Sequence, residues 1–355
     1  QDIDNNWDKV FDELYFEVIK IIEYADGNLS KPDTDFSESD TIQLFKEGKY
    51  EDVINIYSKN LLQNPFDKRV LSNRGLALQH AGRYDEAILD FKKAIELDEF
   101  YLQARLNLVS LLLDLEDFGE CEKELTFMIE KNGYNKDTLF VNALFFHKTK
   151  KYDEAEKIYL KLRDNYEDEL VISMNLGMLY NEIGHYVKAA NIFIEESQKY
   201  PNTPELYFHL GNVYANYQEF ERAINWYLKA IQLNNKYLDA YLNLGNAYFN
   251  LRKLDDALVL YKNLLSFGFK DFRIYQSIGI IYYELKDYIS AENNFIKALE
   301  IENKSSELFL GYAENLLMLG KFKIGWDYYH KRIYKDINLY PYINKIPNKI
   351  SFNKN

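Results

Sequence analysis

The chain holds few of the residues that interrupt helices and few of those that carry chemistry. Six prolines and fifteen glycines are spread over 355 residues, a scarcity that suits a mostly helical chain. Cys121 is the one cysteine, which excludes a disulfide within the chain and leaves the compartment unread from cysteine use. No run of eighteen apolar residues occurs, so no segment is expected to span a membrane. Positive charge is the scarcer sign: 43 Lys and Arg stand against 56 Asp and Glu, a net charge of −13. A nucleic-acid backbone needs dense Lys and Arg, so that class of partner is not expected. The imbalance is uneven, because six Lys and Arg against one Asp fall between Lys331 and Asn355. Over the rest of the chain the acidic excess reads first as a solubilising surface, ahead of an acidic docking face.

Catalytic patterns are missing as well. There is no phosphate-binding Walker loop, no dinucleotide glycine fingerprint, no Gly-x-Ser-x-Gly elbow and no His-Glu-x-x-His. The five histidines, His80, His147, His185, His209 and His330, include no two at metal-ligand spacing. Neighbouring carboxylates such as Glu195 with Glu196, or Asp255 with Asp256, fit solvated helix or turn positions better than an acid–base pair. No catalytic residue, cofactor-binding residue or metal ligand is assigned, and the chain reads as non-enzymatic and without a cofactor. It starts at Gln1 and not at Met, so signal cleavage stays open and both cytoplasm and export remain. Asn28-Leu29-Ser30 and Asn303-Lys304-Ser305 fit the glycosylation triplet, as chance also allows in an Asn-rich chain.

What the chain has in abundance is periodicity. Gly75, Gly177, Gly211, Gly245 and Gly279 share one phase of a 34-residue period. Twelve residues on come Ala87, Ala189, Ala223, Ala257 and Ala291, and four further on Phe91, Phe193, Tyr227, Tyr261 and Phe295. A fixed period of this length, with small residues locked in phase with aromatics, marks an array of helical hairpins, which is a surface for binding. The aromatic share of 16%, with 31 Tyr and 23 Phe, supplies large side chains for the grooves beside small ones. In the stretch from 204, Leu206, Leu210, Val213 and Tyr214 form a first helix's apolar face. Gln218-Glu219-Phe220 reads as the turn, and Ala223, Ile224, Tyr227, Ala230 and Ile231 as the second helix's face. Cys121 falls where neighbouring units hold Ala and reads as a buried small hydrophobe.

The frame gives units starting near 34, 68, 102, 136, 170, 204, 238, 272 and 306, an array over 30–339. Before it, Ile3, Trp7, Val10, Phe11, Leu14, Val18, Ile21 and Ile22 space out an amphipathic helix, so 1–29 reads as an N-terminal capping helix. After it, 340–355, with Pro341 and Pro347, reads as a basic, flexible tail. The end units drift from the pattern, with Val53 at the Ala position of the first, and Ala313 and Gly325 at the Gly and Ala positions of the last.

These residues resemble the tetratricopeptide repeat family over about 34–339. Asn175-Leu176-Gly177 and Asn243-Leu244-Gly245 match its first-helix core. Tyr84-Asp85-Glu86-Ala87 and Tyr152-Asp153-Glu154-Ala155 match its second-helix start, with Pro65 and Pro201 between units. The resemblance implies an all-α, right-handed superhelical solenoid of about nine helix-turn-helix repeats. It implies a protein–protein interaction scaffold with a concave groove for a peptide, a helix or an assembly partner of unknown identity, self-association included. The first helix of each unit would face that groove. By frame its lining includes Asn73, Asn107, Phe140, Asn175, Phe208, His209, Asn212, Asn243 and Asn246. Asn there can bond a peptide backbone through donor and acceptor, or can bond within the solenoid, and the sequence leaves both open. Some family members grip terminal carboxylates with Lys or Arg beside the groove. Here Ser72, Leu76, Leu106 and Ser110 hold those slots, so a carboxylate clamp is not expected. Arg69, Arg105, Arg273 and Arg332 form no stripe for single-stranded nucleic acid.

The last unit carries Leu316-Leu317-Met318-Leu319-Gly320-Lys321-Phe322-Lys323-Ile324-Gly325-Trp326-Asp327-Tyr328-Tyr329, followed by Lys331 and Arg332. That run resembles the final repeat of bacterial proteins in which such arrays continue into a glycosyltransferase domain. It implies an alternative: the substrate-recognition arm of a glycosyltransferase whose catalytic domain lies beyond residue 355. Against it stands a packing reading, in which Gly325-Trp326 is the capping variant of the last helix.

Overall fold

The computed structural model describes residues 38–331 apart from 134, 167 and 168. Among these residues there are eighteen α-helices and no strand. The expected capping helix at 1–29 and the tail at 340–355 lie outside the described residues. The chain divides into two compact units, with the boundary after Glu196. The first holds α1 (Glu38–Lys46), α2 (Tyr50–Gln63), α3 (Lys68–His80), α4 (Tyr84–Leu97), α5 (Leu102–Asp114), α6 (Phe118–Asn132), α7 (Lys136–Lys148), α8 (Tyr152–Asn165) and α9 (Leu170–Glu182). The helix α10 (Tyr186–Lys199) runs through the boundary. The second holds α11 (Pro204–Asn216), α12 (Phe220–Leu233), α13 (Leu238–Asn250), α14 (Leu254–Ser266), α15 (Phe272–Glu284), α16 (Tyr288–Ile301), α17 (Ser306–Met318) and α18 (Phe322–Lys331).

Lys68, Leu102, Lys136, Leu170, Pro204, Leu238, Phe272 and Ser306 begin first helices at steps of 34 residues. Within each unit, consecutive helices from α1 to α9 and from α11 to α18 pack on one another, and first helices of successive pairs also touch, as α3 does α5 and α13 does α11 and α15.

The phase of glycine and aromatic is steric. A Cβ on Gly75 would stand 2.6 Å from Phe91 Cε1, and one on Gly177 would stand 2.6 Å from Phe193 Cζ. On Gly211 and Gly245 it would run into the rings of Tyr227 and Tyr261. Each glycine costs its helix about 1 kcal/mol against alanine. Full burial of the aromatic ring that it admits returns about 2–3 kcal/mol, and all five in-phase aromatics are buried. Besides the two end pairs, two interior pairs depart from this rule and still fill the space. Val109 and Leu125 hold the two positions in one pair, Ala143 and Tyr159 in the next, and all four are buried. Cys121 is fully buried, and burial pushes its thiol up to about 12, so it is packing and not a nucleophile.

Every turn inside a pair ends its first helix in the same way. Arg83 N–H reaches back to Leu78 O at 2.8 Å and Gly82 N–H to Gln79 O at 2.9 Å, with Gly82 at φ 74°. This left-handed cap satisfies the last carbonyls of the helix. The same pattern closes α11, where the left-handed residue is Gln218, at φ 63°. That turn occupies 217–219 and Phe220 already opens α12, one residue earlier than the sequence suggests.

Candidate binding face

The first helices place the expected lining residues in two different environments. In the first unit the face is closed. Leu76, Leu106, Leu144, Met174 and Met178 are buried, as is Phe140 on α7, whose ring meets Tyr159 edge-on at 6.3 Å. Asn107 on α5 is buried and donates its Nδ2–H to Ser72 Oγ at 3.2 Å. Asn175 on α9 is buried and donates to Val171 O of its own helix at 2.8 Å. These two amides are spent inside the fold. Asn73 on α3 is half-buried and keeps some access to solvent. Arg105 is buried, paired with Glu124 and laid over the Phe127 ring at 3.7 Å, so it offers no cation to a ligand.

In the second unit the face is open at its amides. Phe208 and His209 on α11 are buried, and Phe208 sits 5.0 Å from the Tyr237 ring and 6.1 Å from that of Tyr227. Burial pushes the His209 imidazole down to about 4, so it is neutral at neutral pH. Asn212 and Asn243 are half-buried and Asn246 is exposed. The Tyr227 hydroxyl donates to Asn212 Oδ1 at 2.8 Å, and Asn243 Nδ2 donates to the same oxygen at 2.8 Å. The Tyr261 hydroxyl lies 3.1 Å from Leu242 O and 3.4 Å from Asn246 Oδ1. Asn212 is thus held through its oxygen by two donors, while the single Tyr261 proton is shared between Leu242 O and the more distant Asn246 Oδ1. The Nδ2–H groups of Asn212 and Asn246, and Asn243 Oδ1, make no hydrogen bond among the described residues. Ile280 on α15 continues the row of Asn212 and Asn246 at the 34-residue step and is exposed, beside half-buried Phe249 and Tyr283.

The arrangement therefore offers amide donors and an acceptor next to apolar side chains. Arg273 on α15 is bound to Asp239 at 2.8 Å and to Asp271 at 2.9 Å, so it is not free for a ligand. Sequence reasoning missed the hydroxyls of Tyr227 and Tyr261, which it took for packing alone. The signal was Tyr in place of Phe at the aromatic position of these two repeats. Among the described residues no group of three His, Cys, Asp or Glu could hold a metal, and no helix is long and apolar enough to cross a membrane.

Comparison with protein families matches four stretches of the chain. Residues 69–101, 237–267 and 272–305 match families described as tetratricopeptide repeat, and 216–251 matches one described as TPR repeat. The Hsp70-Hsp90 organizing protein 2 of Arabidopsis thaliana is 26% identical over 117 residues, covering 33% of this chain and 20% of that protein. Human DnaJ homolog subfamily C member 7 is 28% identical over 122 residues, covering 33% of this chain and 25% of that protein. The chain thus spans a quarter or less of the curated relatives it matches. Among solved structures, yeast Tom70 aligns with a TM-score of 0.63 at 15% identity, covering 97% of this chain and 79% of that one. At that identity the likeness is one of fold.

Proposed function

We propose that this chain, built of tetratricopeptide repeats, is a protein–protein interaction scaffold whose open amide face in the second unit holds an extended peptide. The observation that carries the reading is Asn212, whose oxygen is held by the Tyr227 hydroxyl and by Asn243 and whose N–H group is unspent, one repeat from the exposed Asn246 amide. An extended backbone presents a carbonyl and an N–H at each residue, which such amides can meet. Ile280 and the rings of Phe249 and Tyr283 would seat apolar side chains of the same peptide. The Arabidopsis relative is named for the chaperones it organises. For this chain the shared feature is a protein partner, and the slots at Ser72, Leu76, Leu106 and Ser110 carry no base for a carboxylate clamp.

The test is a peptide-library selection on the whole chain, repeated on Asn212→Ala/Asn246→Ala. We expect a defined apolar-anchored motif, with affinity falling about tenfold in the double variant as two hydrogen bonds are lost. A motif bound equally by both proteins would remove the amide face from the account. The glycosyltransferase-arm alternative gains nothing from the relatives matched. Its Gly325-Trp326 run also has a packing reason, since a Cβ on Gly325 would meet Leu317 at 3.0 Å and Ala313 O at 3.3 Å. The mass of the native protein on an immunoblot separates the two: a species much larger than 355 residues would favour the arm.

A further inference from the structure

The second halves of α12, α14 and α16, with the loops that follow, form one edge of the second unit. Positions 34 residues apart hold equivalent places on successive hairpins. Leu233, Phe267 and Ile301 therefore form a row, and they are 40%, 75% and 50% exposed. Three residues on, Lys236, Lys270 and Lys304 form a second row, all exposed. Further back along the same helices, exposed Lys229, Lys262 and Lys297 lie over the rings of Tyr207, Tyr282 and Tyr275 at 4.0, 5.4 and 5.8 Å. Among the described residues none of these six lysines forms an ion pair.

The equivalent segments 225–237, 259–271 and 293–305 contain six lysines and three acids, Asp271, Glu300 and Glu302, of which Asp271 is paired with Arg273, on a chain of net charge −13. Neutralising a helix end does not explain them, because the last turns of α12, α14 and α16 carry no base. The apolar row projects from helix ends and loop tips, and Phe267 is followed by Gly268 at φ 91°. Such side chains are knobs without a groove of their own.

We propose that this edge is a peripheral docking surface for an anionic lipid bilayer. Leu233, Phe267 and Ile301 enter the headgroup–acyl boundary while the lysines follow the negative surface potential, with their stems along the interface. A lipid interface accepts projecting apolar side chains with no complementary pocket, which a folded protein partner would have to supply. All six cations are lysine, a flexible point charge suited to a diffuse anionic surface, and none is the arginine fork that selects individual carboxylates. Only Phe267 in the row could stack on a base, and a single-stranded nucleic acid is held by successive aromatic platforms, which sets nucleic acid aside.

The edge shares no residue with the amide face, so the two readings can fail separately. The experiment is flotation of the whole chain with vesicles of phosphatidylcholine alone and with about 30% phosphatidylserine. We expect binding to the anionic vesicles only, falling at least about tenfold between about 0.05 M and about 0.5 M salt. Lys236→Glu/Lys270→Glu/Lys304→Glu should abolish it, and Phe267→Ser should weaken it several-fold at unchanged melting temperature. Equal binding to both vesicles, or binding untouched by the triple reversal, would overturn the proposal. So would retention on poly-glutamate resin without flotation, which would assign the edge to an acidic protein.

Discussion

Gly211 lacks a side chain because the Tyr227 ring occupies its place. Gly211→Ala gains helix propensity but must displace a buried ring, and overpacking of this kind costs about 1–3 kcal/mol. We expect a net loss of stability in urea unfolding, where propensity alone would give a gain. Tyr227→Phe keeps the ring and removes the hydroxyl that holds Asn212. It should cost about 1 kcal/mol of stability and lower the affinity for any peptide that reads the Asn212 amide. Little of this was legible from the asparagines. Asn107, Asn175 and Asn212 share one residue type, yet Asn107 bonds Ser72, Asn175 bonds its own helix and Asn212 bonds two partners. Across the repeat an amide goes where a neighbour offers a partner, and that neighbour lies 15 or 31–35 residues away, beyond any local pattern.

The helical-repeat architecture, by contrast, could be read directly. Steric exclusion between Gly75 and Phe91 or Gly177 and Phe193 leaves the same small–large signature in every pair that uses it. The pairs built on Val109 with Leu125 and Ala143 with Tyr159 break that signature while preserving the packing, and the 34-residue frame places their units near 102 and 136 all the same. Turn boundaries were less legible. Left-handed residues in these turns include Glu116, Lys150, Gln218, Arg252 and Lys286, and none of these types announces a positive φ. A left-handed backbone strains an L side chain by about 1–2 kcal/mol, from which the greater unfolded freedom of glycine subtracts about 0.5–1 kcal/mol. Gln218→Gly should therefore stabilise the second unit slightly, by up to about 1.5 kcal/mol. Differential scanning fluorimetry checks the direction, and a lower melting point would mean that the Gln218 side chain contributes more than its backbone costs.

At the scale of the molecule, stability should depend on pH through histidines kept neutral by burial. His80 and His209 are both held down to about 4, against an ordinary value of 6.5. Between those values the unfolded chain binds protons that the folded chain refuses, so stability is full above about 6.5 and falls as pH drops toward 4. For His209 the loss is on the order of 3 kcal/mol. His209→Phe should flatten the fall in melting temperature from pH 7 to pH 4.5 relative to the parent, whereas parallel curves would mean that His209 takes up no proton on unfolding. The division after Glu196 makes a second demand. In a repeat array each hairpin is stabilised by its immediate neighbours, so damage should stay local. Gly245→Ala pushes a methyl into the Tyr261 ring in the second unit. Native-state hydrogen exchange should speed up at the buried helices around it, α13 and α14, while amides near Phe91 and Phe193 in the first unit keep their protection. Equal loss of protection in both units would show that the chain unfolds as one cooperative block, and would make the boundary at Glu196 a feature of contact density without a counterpart in energy.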